Sequence, residues 1–578
     1  MKKTLLCVAL ILFYALLLAG NVSLEQASEA AGTYLEKLGY QGSCVLDREI
    51  GPEPGSAYVF QLAPRGYIVA GGSDELPPVL AWSLQNSFAA GDGDLLAELL
   101  EADIALRLEH MDAAAREDNR NLWRNLNPSR DDFQQWPPEG STFTGGWIKT
   151  QWTQNSPYND LCPIDPVSEQ RSVAGCPAVA MAQIVNYYQT INGTAFTDAD
   201  DYYHSYAGRN FWIDNDHALH GFPSWPQLNG YLADMMQHYK YGQDQTPTDM
   251  AALVYACGVA MEQVYSSAGS GTFAVAQAFA GFQRFGFQSM ELLTDAAPDL
   301  YDRMAQNMMD AQPVHLAVVT PAWDAGHNVV VDGYNTDGFF HLNFGWGGPY
   351  SGWYLLPDQI PYNLSVIEGA IVDISPRQYL FALPDTLQFI EWEDVTQPQI
   401  LEVINISDAP LSVEAIEHVY DPTGLGEVVL SIFPDAANLP QQLQPGQSLM
   451  IELWWTFLDK SVRSLIEGSL TIVHSYGVTS VPMLIESSLF TANDDQIQPP
   501  APGILAWPNP FRSRLNLKGC PEEEIEASIY NARGQLVRRL AGTGKLSWEP
   551  GPELGSGVYL IRVERAGKLL TRRVLKLK

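Results

Sequence analysis

The chain has 578 residues, too many for one hydrophobic core, so about three to five domains are expected. A hydrophobic content of 46% with 11% aromatic residues is typical of globular domains and excludes a largely disordered chain. The net charge of −34 argues against nucleic acid as a partner, because phosphate binding needs a basic surface.

The first residues predict a secretory signal peptide over residues 1–20. Two lysines precede an apolar run over residues 5–18, and the small pair Ala19-Gly20 ends it. The apolar part is at the short limit for a membrane span, and no cysteine follows it to carry a lipid anchor. Of the six cysteines, Cys7 lies in this signal, and the other five are too scattered to predict a disulfide framework.

Residues 21–124 predict a small α+β domain. Helical periodicity covers residues 24–38, and alternating strands at 57–62 and 66–70 predict a hairpin. A long helical stretch then follows from about residue 94 to residue 121. Residues 125–144, rich in Asn, Pro, Ser and Asp, predict an exposed linker.

A helix that is apolar on all sides is predicted over residues 177–185, where Gln183 is the polar exception. Pro177 suits the first turn, since its missing N–H costs nothing there. Cys176 would then lie at the positive end of the helix dipole, which lowers the pKa of a thiol. A catalytic nucleophile and a buried structural cysteine are both compatible with this stretch alone.

Two predicted strands farther along the chain carry a histidine and an amide. Gly326 and His327 precede the apolar run 329–331, and the second strand ends at Asn343, before a glycine-rich turn. A cysteine at a helix N-terminus, with a histidine and an amide on distant strands, is typical of thiol proteases. Most of the ten histidines are expected to be structural, and His327 stands out by its context.

The stretches GCPAVAMAQIVNYY and GHNVVVDGY…FFHLNFGWGG resemble the streptopain family of papain-like cysteine peptidases. A third stretch, QWTQNSPYN, resembles the family's Gln-containing Pro-Tyr-Asn segment. The resemblance implies a papain-like, two-lobed α+β catalytic domain over residues 145–376, with a helical half and a strand-rich half. Two positions depart from the family pattern: Pro177 replaces an aliphatic residue, and Phe344 replaces a tryptophan. Neither change removes a reacting group.

The same resemblance implies the chemistry of a cysteine endopeptidase acting on protein or peptide substrates. Cys176 and His327 are the implied thiolate–imidazolium pair, and the Gln154 side chain is an implied donor to the oxyanion. Asn343 is the implied partner that orients His327, with Asp332 as an alternative acceptor. Trp346 is expected to shield the pair.

No cofactor and no metal are expected. His217 and His220 lie in an aromatic, Asp-rich insertion over residues 198–225. A His-x-x-His pair can contact a metal, but no further ligand spacing supports one. The insertion is therefore interpreted as a surface loop.

The hairpin and the stretch PPVLAWS resemble the inhibitory propeptide that precedes this type of peptidase. Residues 21–124 are therefore predicted to be a propeptide that acts as an intramolecular inhibitor. Residues 125–144 become the predicted activation region.

Residues 377–492 contain short alternating strands between Pro, Gly and Asp turns, which predicts an immunoglobulin-like β-sandwich. A spacer role is favoured, with weak adhesion as the alternative. An acidic, Pro-rich linker is predicted over residues 493–503.

Residues 504–578 predict a separate module because the charge changes sign there. They carry 14 Lys/Arg against 7 Asp/Glu, or about +7, whereas the rest of the chain carries about −41. The stretches WPNPF, NARGQLV and GVYLIRV resemble the C-terminal sorting domain of the type IX secretion system. This resemblance implies recognition by the secretion machinery and a secreted or cell-surface location. A sandwich domain without a signal role is the alternative.

Together these patterns predict a multidomain chain: an α+β propeptide, an α+β papain-like peptidase and two all-β sandwich domains. Two other functions remain open. One is a different acyl-transfer enzyme, transglutaminase-like or an amidase, and the other is an inactive surface-binding protein.

Overall fold

The computed structural model describes most of the chain. The described residues are 20–88, 95–294, 296–323, 326–357, 366–390, 398–420, 428–457, 464–487, 505–507, 511, 514–518, 524–531, 536–543, 545–551, 554–555, 557–565 and 568–576. The predicted signal peptide, apart from Gly20, the predicted linker at 493–503 and Cys520 lie outside them. The chain divides into two compact units, Met1–Arg377 and Gln378–Lys578.

The first unit combines helices with a large sheet. Its helices are α1 (Leu24–Lys37), α2 (Leu95–His110), α3 (Ala113–Arg124), α4 (Cys176–Tyr188), α5 (His217–His220), α6 (Trp225–Lys240), α7 (Pro247–Ala260), α8 (Val275–Arg284) and α9 (Leu300–Met309). Its strands are β1 (Ser43–Ile50), β2 (Ala57–Ala63), β3 (Tyr67–Gly71), β4 (Val79–Ser83), β5 (Gln135–Trp136), β6 (Tyr202–Tyr206), β7 (Arg209–Ile213), β8 (Glu291–Thr294), β9 (Val314–Val319), β10 (Gly326–Asn335), β11 (Phe339–Asn343), β12 (Gly352–Leu355) and β13 (Ile367–Val372). Within the described part of the chain, every helix is too short or too polar to span a bilayer.

One 11-stranded sheet runs through this unit in the order β1-β2-β3-β4-β12-β11-β10-β9-β13-β8, and β5 pairs with β10. The predicted propeptide strands therefore continue the sheet of the predicted catalytic region. The join lies between β4 and β12, where Trp82 pairs with Trp353 and Ala81 with Tyr354. The two tryptophan rings also stack at 5.4 Å.

The local predictions in the propeptide region are largely confirmed. Helix α1 begins with a capping box between Ser23 and Gln26, and β2 and β3 form the expected antiparallel hairpin. The expected single helical stretch over residues 94–121 is wrong, because two helices, α2 and α3, lie there. The break occurs where the Asp112 carboxylate caps α3 by accepting a hydrogen bond from Ala115 N at 2.8 Å.

The sheet has a hydrophobic core on each face. One core contains α4, α6, α7 and α8, packed on Ala317, Val330 and Ile371. The other contains Leu99 and Ile104 of α2, with α9 and the alternate residues of β9 and β10. The predicted propeptide thus contributes one helix to the core that covers the outer face of β10.

Helix α4 is confirmed as a buried helix. All nine residues from Pro177 to Val185 are buried, and Pro177 lies in the first turn. Gly175 precedes the helix with a φ of +86°, and a Cβ there would lie 2.8 Å from the Gln263 side-chain oxygen. A glycine at this position therefore allows the chain to turn tightly into Cys176.

The interpretation of residues 198–225 as a surface loop is wrong. This insertion forms the β6–β7 hairpin and the short helix α5. Phe211 and His220 are buried, and their rings lie 4.8 Å apart. The insertion is structured because the alternating aromatic residues of the hairpin give it an apolar face that packs on the core.

The second unit contains only β-strands, apart from one 3₁₀ turn at Ala436–Asn438, among its described residues. The strands are β14 (Leu380–Leu383), β15 (Leu387–Ile390), β16 (Gln399–Asn405), β17 (Leu411–Tyr420), β18 (Val428–Phe433), β19 (Gln441–Leu443), β20 (Ser448–Phe457), β21 (Ser464–His474), β22 (Gly477–Ser487), β23 (Leu505–Trp507), β24 (Leu515–Lys518), β25 (Glu524–Asn531), β26 (Leu536–Thr543), β27 (Lys545–Trp548), β28 (Gly557–Arg565) and β29 (Lys568–Lys576). Strands β14 to β22 form two sheets, β14-β16-β20-β18 and β15-β22-β21-β17-β19, which share one core. Strands β23 to β29 form two further sheets with a separate core.

Candidate active site

Cys176 is the first residue of α4, and its thiol contacts β10. The backbone N–H and the side chain of Asn328 donate hydrogen bonds to the sulfur. Burial raises the pKa of the Cys176 thiol, and these hydrogen bonds offset the rise only in part. The neutral thiol therefore predominates at pH 7 in this state of the chain, in contrast to the expected thiolate.

His327, the residue before Asn328, is 2% exposed. Its Nε2–H donates to the carbonyl oxygen of Phe344 at 2.8 Å, and its ring stacks on Trp346 at 4.3 Å. Burial lowers the pKa of His327 to about 4, although the bond to Phe344 opposes this shift. The imidazole is therefore neutral at pH 7, and Trp346 covers its ring.

The structure does not bring Cys176 and His327 together as the expected ion pair. Neighbouring residues of a strand point to opposite faces of the sheet, and Asn328 occupies the face of β10 toward α4. His327 consequently points into the core on the other face. The Cys176 thiol and the His327 imidazole are both neutral, whereas an active pair consists of a thiolate and an imidazolium.

Gln154 lies beside the residues that lead into Cys176. Its backbone carbonyl accepts a hydrogen bond from Ala174 N at 2.9 Å. The neighbouring Trp152 carbonyl accepts from Gly347 N at 3.1 Å, which ties this segment to the glycine-rich turn after β11. These backbone contacts tie Gln154 to Ala174, two residues before Cys176, and the role of the Gln154 side chain stays a prediction.

Asn343 does not orient His327 in this structure. Its Nδ2 donates to Thr150 O at 2.9 Å and to the Gln183 side-chain oxygen at 3.3 Å. Its Oδ1 accepts from Gly345 N at 3.0 Å. Gln183, the polar residue inside α4, also accepts from the Thr150 hydroxyl at 2.9 Å.

Asp332 is fully buried and is engaged elsewhere than at His327. Its Oδ1 lies 2.6 Å from Nδ1 of His341, and its Oδ2 accepts from Ile148 N at 3.1 Å. A Cβ on Gly146 would overlap this carboxylate, so Gly146 allows the chain to pass close to it. Asp332 therefore does not accept a hydrogen bond from His327 in this structure.

Aromatic contacts link the predicted propeptide to His327. The Phe88 ring lies 5.4 Å from the Tyr350 ring, and Tyr350 in turn lies 5.5 Å from Trp346, which covers His327. The Tyr67 hydroxyl donates to Tyr350 O at 2.8 Å. Through these contacts, side chains of the predicted propeptide pack against the turn that encloses the imidazole.

The propeptide segment after β4 also touches this turn directly. Asn86 Nδ2 donates to Ser351 O at 2.9 Å, and Ser87 O accepts from Tyr350 N at 3.1 Å. Gln151 Nε2 donates to Asn86 Oδ1 at 3.3 Å. The predicted propeptide thus bridges the glycine-rich turn and the segment that leads to Gln154.

No group of three or more His, Cys, Asp or Glu side chains among the described residues is arranged to hold a metal ion. His220 packs its ring on Phe211, and His217 lies 3.9 Å from the Asp214 carboxylate.

Comparison with known proteins identifies the family of the region that contains these residues. A model of the peptidase C10 family matches residues 152–354. Residues 152–354 are a peptidase C10 domain. A second family model, described as a secretion system C-terminal sorting domain, matches residues 505–577. The C10 domain contains Cys176, Gln154, His327 and Asn343.

Two curated relatives agree with the C10 domain. Streptopain of Streptococcus pyogenes is 25% identical over 334 residues, covering 54% of this chain and 77% of the relative. The thiol protease/hemagglutinin PrtT of Porphyromonas gingivalis is 25% identical over 295 residues, covering 50% of this chain but only 32% of the relative. A solved fragment of prointerpain A from Prevotella intermedia is 22% identical with a TM-score of 0.40, covering 58% of this chain and 100% of the fragment. The chain is a secreted cysteine peptidase with a C-terminal sorting domain.

Sequence reasoning missed several residues that shape the C10 domain's site. Asn328 contacts the thiol, Gln183 holds Asn343, and the Phe344 carbonyl holds His327. A polar residue inside an otherwise apolar helix was the available signal for Gln183. The roles of Asn328 and the Phe344 carbonyl depend on tertiary contacts that local patterns do not report.

Proposed function

We propose that this peptidase is an endopeptidase made as a zymogen, in which Cys176 is the nucleophile and His327 the acid–base partner. Residues 21–124 are the inhibitory propeptide, and residues 145–376 form a papain-like, two-lobed catalytic domain. The substrates are proteins or peptides. The observation that carries this proposal is the contact of the Cys176 sulfur with Asn328, the residue next to His327.

That contact makes the active arrangement accessible by a local change. His327 is the second residue of β10, close to the strand's end. A rearrangement of the first residues of β10 can exchange the faces of His327 and Asn328 without disturbing the apolar residues 329–331. The imidazole then takes the place of the Asn328 groups beside the sulfur.

The propeptide supports the inactive arrangement. Tyr67 and Phe88 hold Tyr350, and Tyr350 holds Trp346 over His327. Helix α2 adds Leu99 to the core on the same face of β10. Removal of residues 21–124 takes these contacts away, which frees the turn and lets His327 leave the core.

The active pair would carry out acyl transfer to water. A thiolate beside an imidazolium and at a helix N-terminus has a strongly lowered pKa, so it attacks the peptide carbonyl at neutral pH. The Cys176 N–H and the Gln154 amide donate to the oxyanion. His327 protonates the leaving amine, and water then hydrolyses the thioester. Asn343, which precedes the present acceptor Phe344, orients His327 after the rearrangement.

Activation requires a cut in residues 125–144. This segment is not uniformly free, since Gln135 and Trp136 pair with Asn335 and Tyr334 of β10. The residues at 138–141 and Phe143 are exposed, and Phe143 is 66% exposed. The residues at 127–128 and 130–132 are exposed as well, so a protease would cut most readily in the exposed stretches on either side of Gln135 and Trp136.

The two β-rich modules have no catalytic role and act as a spacer and a sorting signal. Residues 377–492 are an immunoglobulin-like sandwich that acts as a spacer. Residues 504–578 are the sorting domain that the secretion machinery recognises. None of the candidate catalytic residues lies in either module.

The test is hydrolysis of casein by the purified, processed protein with and without a thiol-alkylating inhibitor. Thiol-dependent cleavage of internal peptide bonds is expected, and the uncleaved Cys176→Ala protein should have no activity. Cleavage that survives complete alkylation of Cys176 would contradict the assignment.

A further inference from the structure

Asp165 is a fully buried carboxylate that joins three surface loops of the C10 domain. Its Oδ1 accepts from Val167 N at 2.8 Å, and its Oδ2 accepts from Ser267 N at 2.9 Å and from the Ser267 hydroxyl at 2.8 Å. Arg209 Nε donates to both oxygens, at 3.1 and 3.0 Å. Burial raises the pKa of Asp165, but these hydrogen bonds outweigh it and lower the pKa below its ordinary value, so the carboxylate stays charged.

Each of these three loops carries an exposed apolar side chain. Val167 is 65% exposed, Tyr206 at the end of β6 is 36% exposed, and Phe273 is 72% exposed. The rings of Tyr206 and Phe273 meet edge to face at 6.2 Å. We call these three side chains the apolar rim.

The loop that carries Phe273 also flanks the nucleophile. A Cβ on Gly175 would lie 3.0 Å from Ser270 O, and a Cβ on Gly271 would lie 3.9 Å from the Pro177 ring. The loop therefore passes close to Gly175 and Pro177, the residues on both sides of Cys176. Phe273 follows two residues after Gly271, so its side chain is the member of the apolar rim nearest in sequence to the region where a scissile bond would lie.

We propose that the apolar rim is a subsite for an apolar side chain of the polypeptide substrate, and that Asp165 is the positioning residue that holds it. This proposal rests on the peptidase function proposed above. An extended peptide advances about 3.3 Å per residue. Two residues of enzyme chain span up to about 7 Å. An extended substrate bound along this loop has one residue opposite Gly271. The rim therefore receives the substrate residue about two positions farther from the scissile bond.

The occupant is the substrate for two reasons. Phe273 of the rim lies close in sequence to the loop residues beside Cys176, and the three loops that carry the rim are held in fixed positions. A flexible loop would let the aromatic side chains fold against the surface, whereas the Asp165 hydrogen bonds fix all three loops. Partial burial of a phenylalanine side chain against two aromatic rings raises kcat/KM by about tenfold or more.

The test uses the processed enzyme and a series of peptides of equal length around one cleavable bond. Each position on either side of that bond holds either Phe or Ser, and kcat and KM are measured for every peptide. The wild type should prefer Phe over Ser by about tenfold or more at one position outside the residues that adjoin the bond. Phe273→Ser should reduce this preference to less than about threefold, through KM, and Phe273→Leu should retain most of it.

Matched variants test whether the preference for Phe depends on the rim or on the loss of any exposed apolar side chain. Leu219, in α5, is 77% exposed, so Leu219→Ser removes an equally exposed apolar group outside the rim and should keep the preference. Asp165→Asn should weaken the preference as Phe273→Ser does, while the rate of Cys176 alkylation stays at the wild-type value. An unchanged preference in Phe273→Ser, with the wild type active and thiol-dependent, would overturn the rim and leave the peptidase assignment intact. A wild type with no thiol-dependent cleavage would overturn both.

Discussion

Cys176 is the residue on which proteolysis depends. It opens a buried helix, and its sulfur contacts the strand that carries His327. We predict that Cys176→Ala abolishes cleavage of casein and leaves the full-length chain folded and uncleaved. Cys44→Ala, in the propeptide, serves as the control and should process and cleave normally. Activity of folded Cys176→Ala above a few per cent of wild type would contradict the role of the thiol.

Gln154 is predicted to stabilise the oxyanion. Its side chain acts only when charge develops on the substrate carbonyl, so Gln154→Ala should lower kcat by about 10²–10³ with little change in KM. Alkylation of Cys176 in the processed form should proceed at the wild-type rate, since the ion pair is untouched. If the mutation acted mainly on KM, Gln154 would be a substrate-binding residue instead.

Gln183 is predicted to be a stability determinant of the site. Its side-chain oxygen accepts from Thr150, from Trp152 N and from Asn343, and the residue is fully buried. Gln183→Met keeps the volume but removes the acceptor of the Thr150 hydroxyl and of Trp152 N, and one of the two acceptors of Asn343 Nδ2. This loss should cost about 2 kcal/mol in the free energy of unfolding. Urea unfolding measures this loss, with the exposed Gln306→Met in α9 as a control expected to change stability little. A loss in Gln183→Met no larger than in the control would show that the network is dispensable.

At the scale of elements, helix α4 and strands β10 and β11 were predictable because their periodicity is local. A continuous apolar run with a proline in its first turn specifies α4, and valine runs beside aromatic residues specify the strands. The orientation of His327 was not predictable, since His327 and Asn328 are both polar and alternation alone does not say which one faces α4. The contact of β4 with β12 joins residues about 270 positions apart, which no local pattern encodes.

The burial of His327 has a consequence for the pH dependence of the uncleaved chain. His204, His315 and His327 each have a pKa lowered to about 4 by burial. Between pH 6.5 and 4 the unfolded chain binds protons at these histidines and the folded chain does not, so the free energy of unfolding falls as the pH falls. Each histidine should contribute about 2 kcal/mol to the loss between pH 7.5 and pH 5.

Urea unfolding of uncleaved Cys176→Ala protein at these two pH values tests this expectation. Adding His327→Gln should reduce the difference between the two pH values by about 2 kcal/mol, because one buried histidine is removed. An equal pH dependence with and without His327 would mean that its imidazole titrates normally in the uncleaved chain.

At the scale of the whole molecule, the order of the modules could be predicted from composition and motifs. The charge reversal near residue 504 and the three short C-terminal motifs identified the sorting module, and the structure separates Met1–Arg377 from Gln378–Lys578. The shared sheet could not be foreseen, because the propeptide strands read as an independent small domain. This shared sheet brings Tyr67 and Phe88 into contact with Tyr350, a residue more than 260 positions away in the sequence.

Deleting residues 504–578 is predicted to separate activity from location. The truncated chain keeps the C10 domain, so it should still mature and cleave protein, yet remain in the periplasm of a host with a type IX system. Activity and antibody signal in periplasm, cell surface and medium measure this for both forms. Efficient surface delivery of the truncated chain would show that the module is not the signal.

The central claim is that the propeptide keeps Cys176 a neutral thiol and that its removal creates the thiolate–imidazolium pair. The most direct measurement is the rate of Cys176 alkylation by iodoacetamide against pH, followed by mass spectrometry of the peptide that contains Cys176. A Gln154→Ala background limits self-cleavage, and added wild-type enzyme produces the processed form. We predict that the uncleaved form reacts appreciably only above the ordinary thiol pKa of about 8.5, whereas the processed form is already reactive near pH 5. Superimposable pH profiles for the two forms would contradict the claim.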